Sequence, residues 1–434
     1  MEFHSKPLHN HLMPAQVHLT HTRGALECPE VASRSNTVPC GSPDYHTSSN
    51  HGATQAPRVG PIHIVYIIDH LYNIRAGGEL ALFRILRHLP RDQFQPSVVT
   101  FAVQPLSIQL LQELGCPLHV FPLECTYDWR GFKQALRLRR LLTTEHPSIV
   151  HTFFETSNTW GGVITKLSFG PKLVSSRRDM GVLRLTKHRL AYKLINAWSD
   201  RVLAVSEEVR KLCIEKDRVA AEKVSVVYNG VDLDSVDRCD GAADTRRKFG
   251  LDCASHIVTA VANIRRIKGL DVFIRAVAMV RSDFPSAAFV IAGWPNEPQH
   301  LAELKHLVVD LRLENNVFFL GEVEDIFSLL KASDVFCLLS RSEGFSNALL
   351  EAMACRLPCV VTRVGGNAEA INDGRNGYLV PVEEPQTAAN RLRLLLESPE
   401  LATRMGREAR TTIEARFTTA HMISRLTQCY LDLC

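Results

Sequence analysis

Short β-branched apolar runs alternate along this chain with longer amphipathic stretches. The run IHIVYIID (62–69) is followed by a loop carrying Ala76-Gly77-Gly78 and an amphipathic stretch over about Glu79–His88. PSVVTFAV, PLHVFPL, SIVHTFF, KLVSSRR and RVLAVS then read as strands, with SIQLLQELG and GFKQALRLRRLLTTEH among the helices between them. After a polar stretch at 232–255 the rhythm restarts. HIVTAVANI, AAFVIAG, NVFFLG, DVFCLLS, PCVVTRV and GYLVP are strands, and LDVFIRAVAMVRSDF, LAELKHLVVDLRL and NALLEAMAC are helices. Strands alternating with helices of this length predict parallel βαβ units. The expected fold is α/β, with two Rossmann-like doubly wound lobes over 61–240 and 241–415 and a cleft between the carboxyl edges of their sheets. Residues 416–434 predict a last helix that packs back on the N-terminal lobe.

Composition sharpens the ends of this scheme. Residues 1–60 hold seven of the eighteen histidines, with many Ser, Thr, Asn, Gly and Pro and no sustained periodicity. Such a segment buries too little apolar surface to offset its ordering entropy, so a disordered His-rich extension is expected there. The twelve cysteines form no CxxC pair and no zinc-type spacing, so they read as reduced thiols. No apolar run approaches the roughly 20 residues that span a bilayer, and the first residues do not read as a secretory signal. A cytoplasmic protein is therefore expected.

Charge changes the picture once more. The net charge of +4 is modest. Between Arg130 and Lys193, however, thirteen basic residues stand against three acidic ones, an excess of ten. The expected helix over 131–142 carries Lys133, Arg137, Arg139 and Arg140. This basic lobe is either a solvated face or a surface attracted to anionic lipid or phosphorylated substrate. The second reading puts the protein on the inner face of the cytoplasmic membrane.

The candidate chemistry gathers in SRSEGFSNALLEAMACRLPCVVTRVGGNAEAINDGRNGYLVP (340–381). A buried strand ends where Glu343-Gly344 turns the chain, and a helix starts near Ser346. Glu343 then lies above the sheet edge and Glu351 two helical turns further on. Between them the backbone N–H groups around Ser346 and Asn347 form a helix N-terminus suited to a diphosphate or a sugar hydroxyl. A carboxylate is a good acceptor for the vicinal diol of a ribose. In VANIRRIKGLDVFIRA (261–276), Arg265, Arg266 and Lys268 follow a strand and precede a helix, which suits a diphosphate. Asp232-Leu-Asp234 lacks the strand context of a metal-holding Asp-x-Asp triplet and reads as loop chemistry. No GxGxxG follows a strand and no GxxxxGK[ST] occurs, which argues against a dinucleotide oxidoreductase or a phosphate-loop NTPase.

Glu343 and Glu351 at this separation, followed by Gly365-Gly366 and Glu369, resemble the donor site of the family 4 (group 1) retaining glycosyltransferases of the GT-B fold. The resemblance covers nearly all of 62–420. It implies Glu343 near the transferred sugar and Glu351 on the ribose of a nucleotide-sugar donor, with Gly344, Phe345, Ser346 and Asn347 offering backbone contacts. It also implies Arg265 and Lys268 on the pyrophosphate, although the usual arginine position is Asn263 here. On the acceptor side it points to Gly77, Gly78, His151 and Arg177 (or Arg178). Phe153 stands where the family often has a second histidine. The implied reaction is metal-independent transfer, with retention, from a nucleoside-diphosphate sugar to a hydroxyl of a glycan or lipid-linked acceptor, in polysaccharide or glycolipid synthesis. No nucleic acid is expected. A sugar-nucleotide epimerase of the same architecture and a non-catalytic sugar-nucleotide binding protein are the alternatives.

Overall fold

Two parallel sheets organise the described chain. The computed structural model describes residues 60–75, 77–181, 189–239 and 242–434, all within one compact unit, Arg58–Cys434. The segment expected to be a disordered extension lies outside the described residues, apart from Gly60.

The first sheet contains β1 (Ile62–Leu71), β2 (Phe94–Val103), β3 (Leu118–Val120), β4 (Ile149–Phe153), β5 (Lys172–Arg177), β6 (Arg201–Ala204) and β7 (Val224–Val226). Its order is β3-β2-β1-β4-β5-β6-β7, and each pairing is parallel. The second contains β8 (Ile257–Val261), β9 (Ala288–Ala292), β10 (Val317–Gly321), β11 (Val335–Leu338), β12 (Cys359–Thr362) and β13 (Tyr378–Val380). It runs β10-β9-β8-β11-β12-β13, again parallel. Both orders reverse direction beside their first strand, so each sheet has a switch point where adjacent loops diverge and leave a crevice at the carboxyl edge. The α/β, doubly wound, two-lobed expectation therefore holds.

The central strands are buried on both faces because helices cover both. In β1, Ile64 to Ile68 are entirely buried, as are Phe289 and Val290 in β9 and Phe336 and Cys337 in β11. That explains their continuous apolar runs, since one solvated face would have imposed alternation. Apolar packing joins the lobes: Val202, Ala204, Val205 and Val209 share a continuous cluster with the core of the second sheet.

The chain then crosses back. The helix Pro399–Arg416 packs on the Asn347–Ala354 helix, and Thr419–Leu431 lies against the first helix, Gly77–His88. Met422, Leu426 and Tyr430 bury themselves in the N-terminal lobe's core with Ile64, Leu82 and Phe94. Between the lobes, Asp232 caps the helix Leu233–Asp237 by accepting from the N–H groups of Asp234 and Ser235, so the Asp-x-Asp triplet is a helix start.

Candidate active site

The site forms where the turn after β11 meets the loops of the first lobe. Ser340 ends the β11 segment, and its Oγ donates to Glu343 Oε1 at 2.7 Å. Lys268, from the turn after β8, reaches both carboxylate oxygens of Glu343, at 2.7 and 2.9 Å. The Glu343 side chain is only 8% exposed, so this ion pair is shielded from screening on one side. The sheet order places β8 next to β11, which brings 268 and 343 together across 75 positions of sequence.

Arg265 takes a different course. Its Nε lies 3.6 Å from Glu297, and Arg266 pairs with Glu303. Asn263 accepts from the N–H of Trp294 at 3.3 Å and so steadies the loop after β9. The structure thus assembles Lys268, Glu343 and Ser340 and directs Arg265 toward Glu297.

After Glu343 the chain passes through a tight turn. A methyl group at Gly344 would stand 2.2 Å from the carbonyl oxygen of Arg178, so only glycine permits this approach of the two lobes. Gly365, at φ +47, packs its Cα against the Glu343 carbonyl; an added Cβ would lie 1.7 Å from that oxygen. Phe345 is buried beside Tyr228 and Phe417. Ser346 then caps the Asn347–Ala354 helix, accepting from the N–H of Leu349 at 3.3 Å. Asn347 donates through Nδ2 to the carbonyl of Gly77 at 3.3 Å, whereas its Oδ1 is buried with no partner among the described residues. The Gly77-Gly78 loop therefore meets the start of this helix, with Gly78 packed on the Phe154 ring.

Contacts with the first lobe continue around the turn. Ser206 Oγ donates to the Gly344 carbonyl at 2.8 Å, and Asn229 Nδ2 to that of Phe345 at 3.0 Å. Glu369 accepts from the N–H groups of Glu207 and Glu208, both at 3.0 Å, and from the Tyr228 hydroxyl at 2.8 Å. Its carboxylate thus sits on the N-terminus of the helix Glu207–Glu215, where the helix dipole favours an anion.

Three expected positions have partners that the sequence did not show. Glu351 is buried and accepts from Arg84 at 2.6 Å; the same guanidinium also donates to the Gly230 carbonyl at 3.0 Å. Burial raises the Glu351 carboxyl above its ordinary value, and Arg84 offsets part of that rise. Arg84 was invisible as a partner in the sequence because it lies 267 positions away.

Arg177 points into the first lobe, donating to Asn196 Oδ1 at 2.8 Å with its guanidinium over the Tyr192 ring. Strand alternation sends its neighbour Arg178 the other way. Arg178 donates to Asn229 Oδ1 at 2.5 Å and presents its carbonyl to Gly344.

His151 is the third. It is 1% exposed, with Nδ1 at 2.6 Å from the Tyr430 hydroxyl and Nε2 at 2.8 Å from Ser176 Oγ. It sits in the interior because the last helix covers β4 and supplies Tyr430. Burial first, and the charge of Arg178 second, push its pKa down to about 3. A depressed histidine stabilises the fold above its unfolded value near 6.5 and loses that contribution as pH falls toward about 3. His151→Phe should cost roughly 1–3 kcal/mol at neutral pH, because it orphans the buried Ser176 hydroxyl and leaves Tyr430 with Tyr66 alone. The same change should flatten the dependence of melting temperature on pH below about 6.5. An unchanged pH slope in the variant would contradict this assignment.

Comparisons with known proteins bear on the family and the fold. Residues 75–235 match the family described as Glycosyltransferase Family 4, and residues 242–412 match Glycosyl transferases group 1. The N-acetyl-alpha-D-glucosaminyl L-malate synthase of Bacillus anthracis is 30% identical over 304 residues, 69% of this chain and 78% of that protein. The UDP-Gal:alpha-D-GlcNAc-diphosphoundecaprenol alpha-1,3-galactosyltransferase of Escherichia coli is 27% identical over 84% of this chain and 95% of its own length. Among solved structures, Anabaena HepE in complex with UDP-glucose superposes with a TM-score of 0.75 at 22% identity, covering 85% of this chain and 99% of that one. That last likeness establishes the GT-B fold, and the sequence relatives establish the family. The chain belongs to the group 1 glycosyltransferases of family 4 and is a glycosyltransferase.

Proposed function

We propose that the enzyme transfers a sugar from a nucleoside-diphosphate sugar to a hydroxyl of a glycan or lipid-linked acceptor, with retention of anomeric configuration. The observation that carries the reading is the shielded Lys268–Glu343–Ser340 group, set beside the N-terminus of the Asn347–Ala354 helix. Lys268 and that helix terminus supply positive charge where a leaving diphosphate gathers negative charge. Arg265 joins them if its guanidinium turns from Glu297. Both oxygens of Glu343 are already engaged, which suits a carboxylate that orients sugar hydroxyls better than a covalent nucleophile. Retention then follows from same-face attack assisted by the departing phosphate. The buried Oδ1 of Asn347 lacks a partner among the described residues, and a donor hydroxyl that reached it would satisfy it. For Glu351 to meet the ribose, the diol must share its carboxylate with Arg84 or displace it.

The proposed donor site uses protein cations and helix termini and calls on no metal. Among the described residues no three His, Cys, Asp or Glu side chains cluster as ligands. UDP-sugar complexes of the Anabaena protein and the lipid-diphosphate acceptor in the E. coli relative's name support the donor and acceptor classes. No described helix is long and apolar enough to cross a membrane.

A thermal-shift series with UDP-, GDP- and ADP-sugars tests the donor. At about 100 times its Kd a donor adds ~2.7 kcal/mol of stability. One nucleotide class should therefore raise the melting temperature by several degrees, and Lys268→Ala should abolish the rise. Equal, negligible shifts with all three would remove the basis of the reading.

A further inference from the structure

Arg341 stands two residues before Glu343, and none of the chemistry assigned above uses it. Its guanidinium forks onto Asp271, with Nη1 donating to Oδ1 at 2.9 Å and Nη2 to Oδ2 at 2.7 Å. Nη1 also donates to the Arg266 carbonyl, and Nε to Glu383. One side chain thus ties together the turn that carries Lys268, the first turn of the helix Leu270–Val280 and the loop after β13. Glu383 meets it from a left-handed backbone conformation, φ +62, that a residue with a side chain rarely adopts. A bidentate pair adds direction to attraction, which a lysine at 341 could not.

The turn after β8 needs such a brace. Arg266–Lys268 is a single 3₁₀ turn, and neither Arg265 before it nor Gly269 after it contributes a side-chain cap. A turn of that length holds few hydrogen bonds of its own. The edge of β11 supplies further contacts: the Arg341 N–H donates to the Ile267 carbonyl at 2.8 Å, and a methyl group on Gly269 would stand 2.0 Å from the Leu339 carbonyl oxygen. Lys268 therefore projects from between two backbone contacts with the segment that leads to Glu343. We propose that Arg341 is a positioning residue, which holds Lys268 against Glu343 by clamping the two turns together through Asp271, the Arg266 carbonyl and Glu383. Its effect on turnover rests on the proposed reaction; its effect on the ion pair does not.

Two measurements on the full chain test the clamp. Without substrate, trace acetylation with acetic anhydride, read by mass spectrometry, reports how firmly Lys268 is held. Arg341→Gln should speed modification of Lys268 by roughly fivefold, as expected when a modest ion pair is loosened. Lys172, in the first lobe, should keep its parental rate. Asp271→Asn removes the same fork from the other side and should act likewise, so it carries the test if Arg341→Gln does not fold. Arg341→Lys should restore little of the protection, because an ammonium lacks the fork. In transfer assays with UDP-, GDP- and ADP-glucose, Arg341→Gln should lower kcat roughly 10- to 100-fold, the cost of an ångström-scale misplacement. The donor KM should change by less than about threefold. In the Lys268→Ala background the same substitution should change kcat by less than about threefold, because a residue that acts through Lys268 has nothing left to position. Unchanged acetylation of Lys268 in the folded variants would overturn the proposal, as would full multiplication of the two kcat defects. Faster acetylation in a protein that transfers from none of the three donors would count against the proposed reaction and leave the clamp standing.

Discussion

Replacement of Lys268 by alanine should lower kcat for glycosyl transfer by roughly 10²–10³, the usual cost of removing one preorganised charge from a transition state. Lys268 holds both oxygens of a carboxylate that is almost fully buried, so the loss acts twice. The leaving diphosphate loses a cation, and Glu343 loses the partner that fixes its orientation. Glu343→Gln should give a decrease of similar size, since an amide cannot hold the ammonium and align the sugar in the same way. Because the two side chains form one unit, the double variant should be little worse than either single one. Steady-state kinetics of all three, with melting temperatures to exclude unfolding, give the answer. Independent multiplication of the two defects would show that the pair does not act together, and normal turnover in either single variant would remove it from the chemistry.

Arg84→Leu should destabilise the protein by about 3 kcal/mol, because removing one partner of a buried pair strands the other charge. Arg84 and Glu351 have side chains only 11% and 8% exposed, so water can solvate neither well. The pH dependence follows from the direction of the shift. Burial already raises the Glu351 carboxyl above its ordinary value, and loss of Arg84 raises it further. A carboxyl with a raised folded pKa stabilises fully below its unfolded value near 4.3, and that contribution disappears as pH rises through the folded one. The gap in melting temperature between variant and parent should therefore be widest near neutrality and narrow as pH falls toward the carboxylate range. Glu351→Gln in the Arg84→Leu background should restore part of the stability at neutral pH, since the amide carries no charge to strand. A gap independent of pH would mean that Arg84 acts through packing alone. The pair links the first helix of one lobe to the donor motif of the other, so both variants should also alter KM for the donor.

Much of the fold was legible in the chain because parallel strands buried on both faces leave unbroken apolar runs, and the helices between them leave a 3.6-residue period. IHIVYIID, HIVTAVANI and DVFCLLS became β1, β8 and β11 with ends shifted by only a few residues. The shortest elements carried the weakest signal: β7, three residues long, is missing from the strands that the apolar pattern predicts. Strand order, by contrast, leaves no mark on any single strand.

By itself the sequence determined which residue types were available for chemistry: two glutamates around a helix start, a lysine after a strand, and paired glycines where backbones touch. Local spacing also fixed that a helix would open near Ser346, whereas Asp232, expected in a loop, caps a helix in the structure. Only the tertiary structure decided partners. The sheet order set Lys268 against Glu343, and the apposed lobes gave Glu351 to Arg84 and Glu369 to the helix at Glu207. Strand alternation turned Arg178 rather than Arg177 toward the donor turn, and the returning last helix enclosed His151. The physical reason is the same throughout. Hydrogen bonds and ion pairs act over a few ångströms of space, whereas sequence signals reach only as far as one turn or one strand.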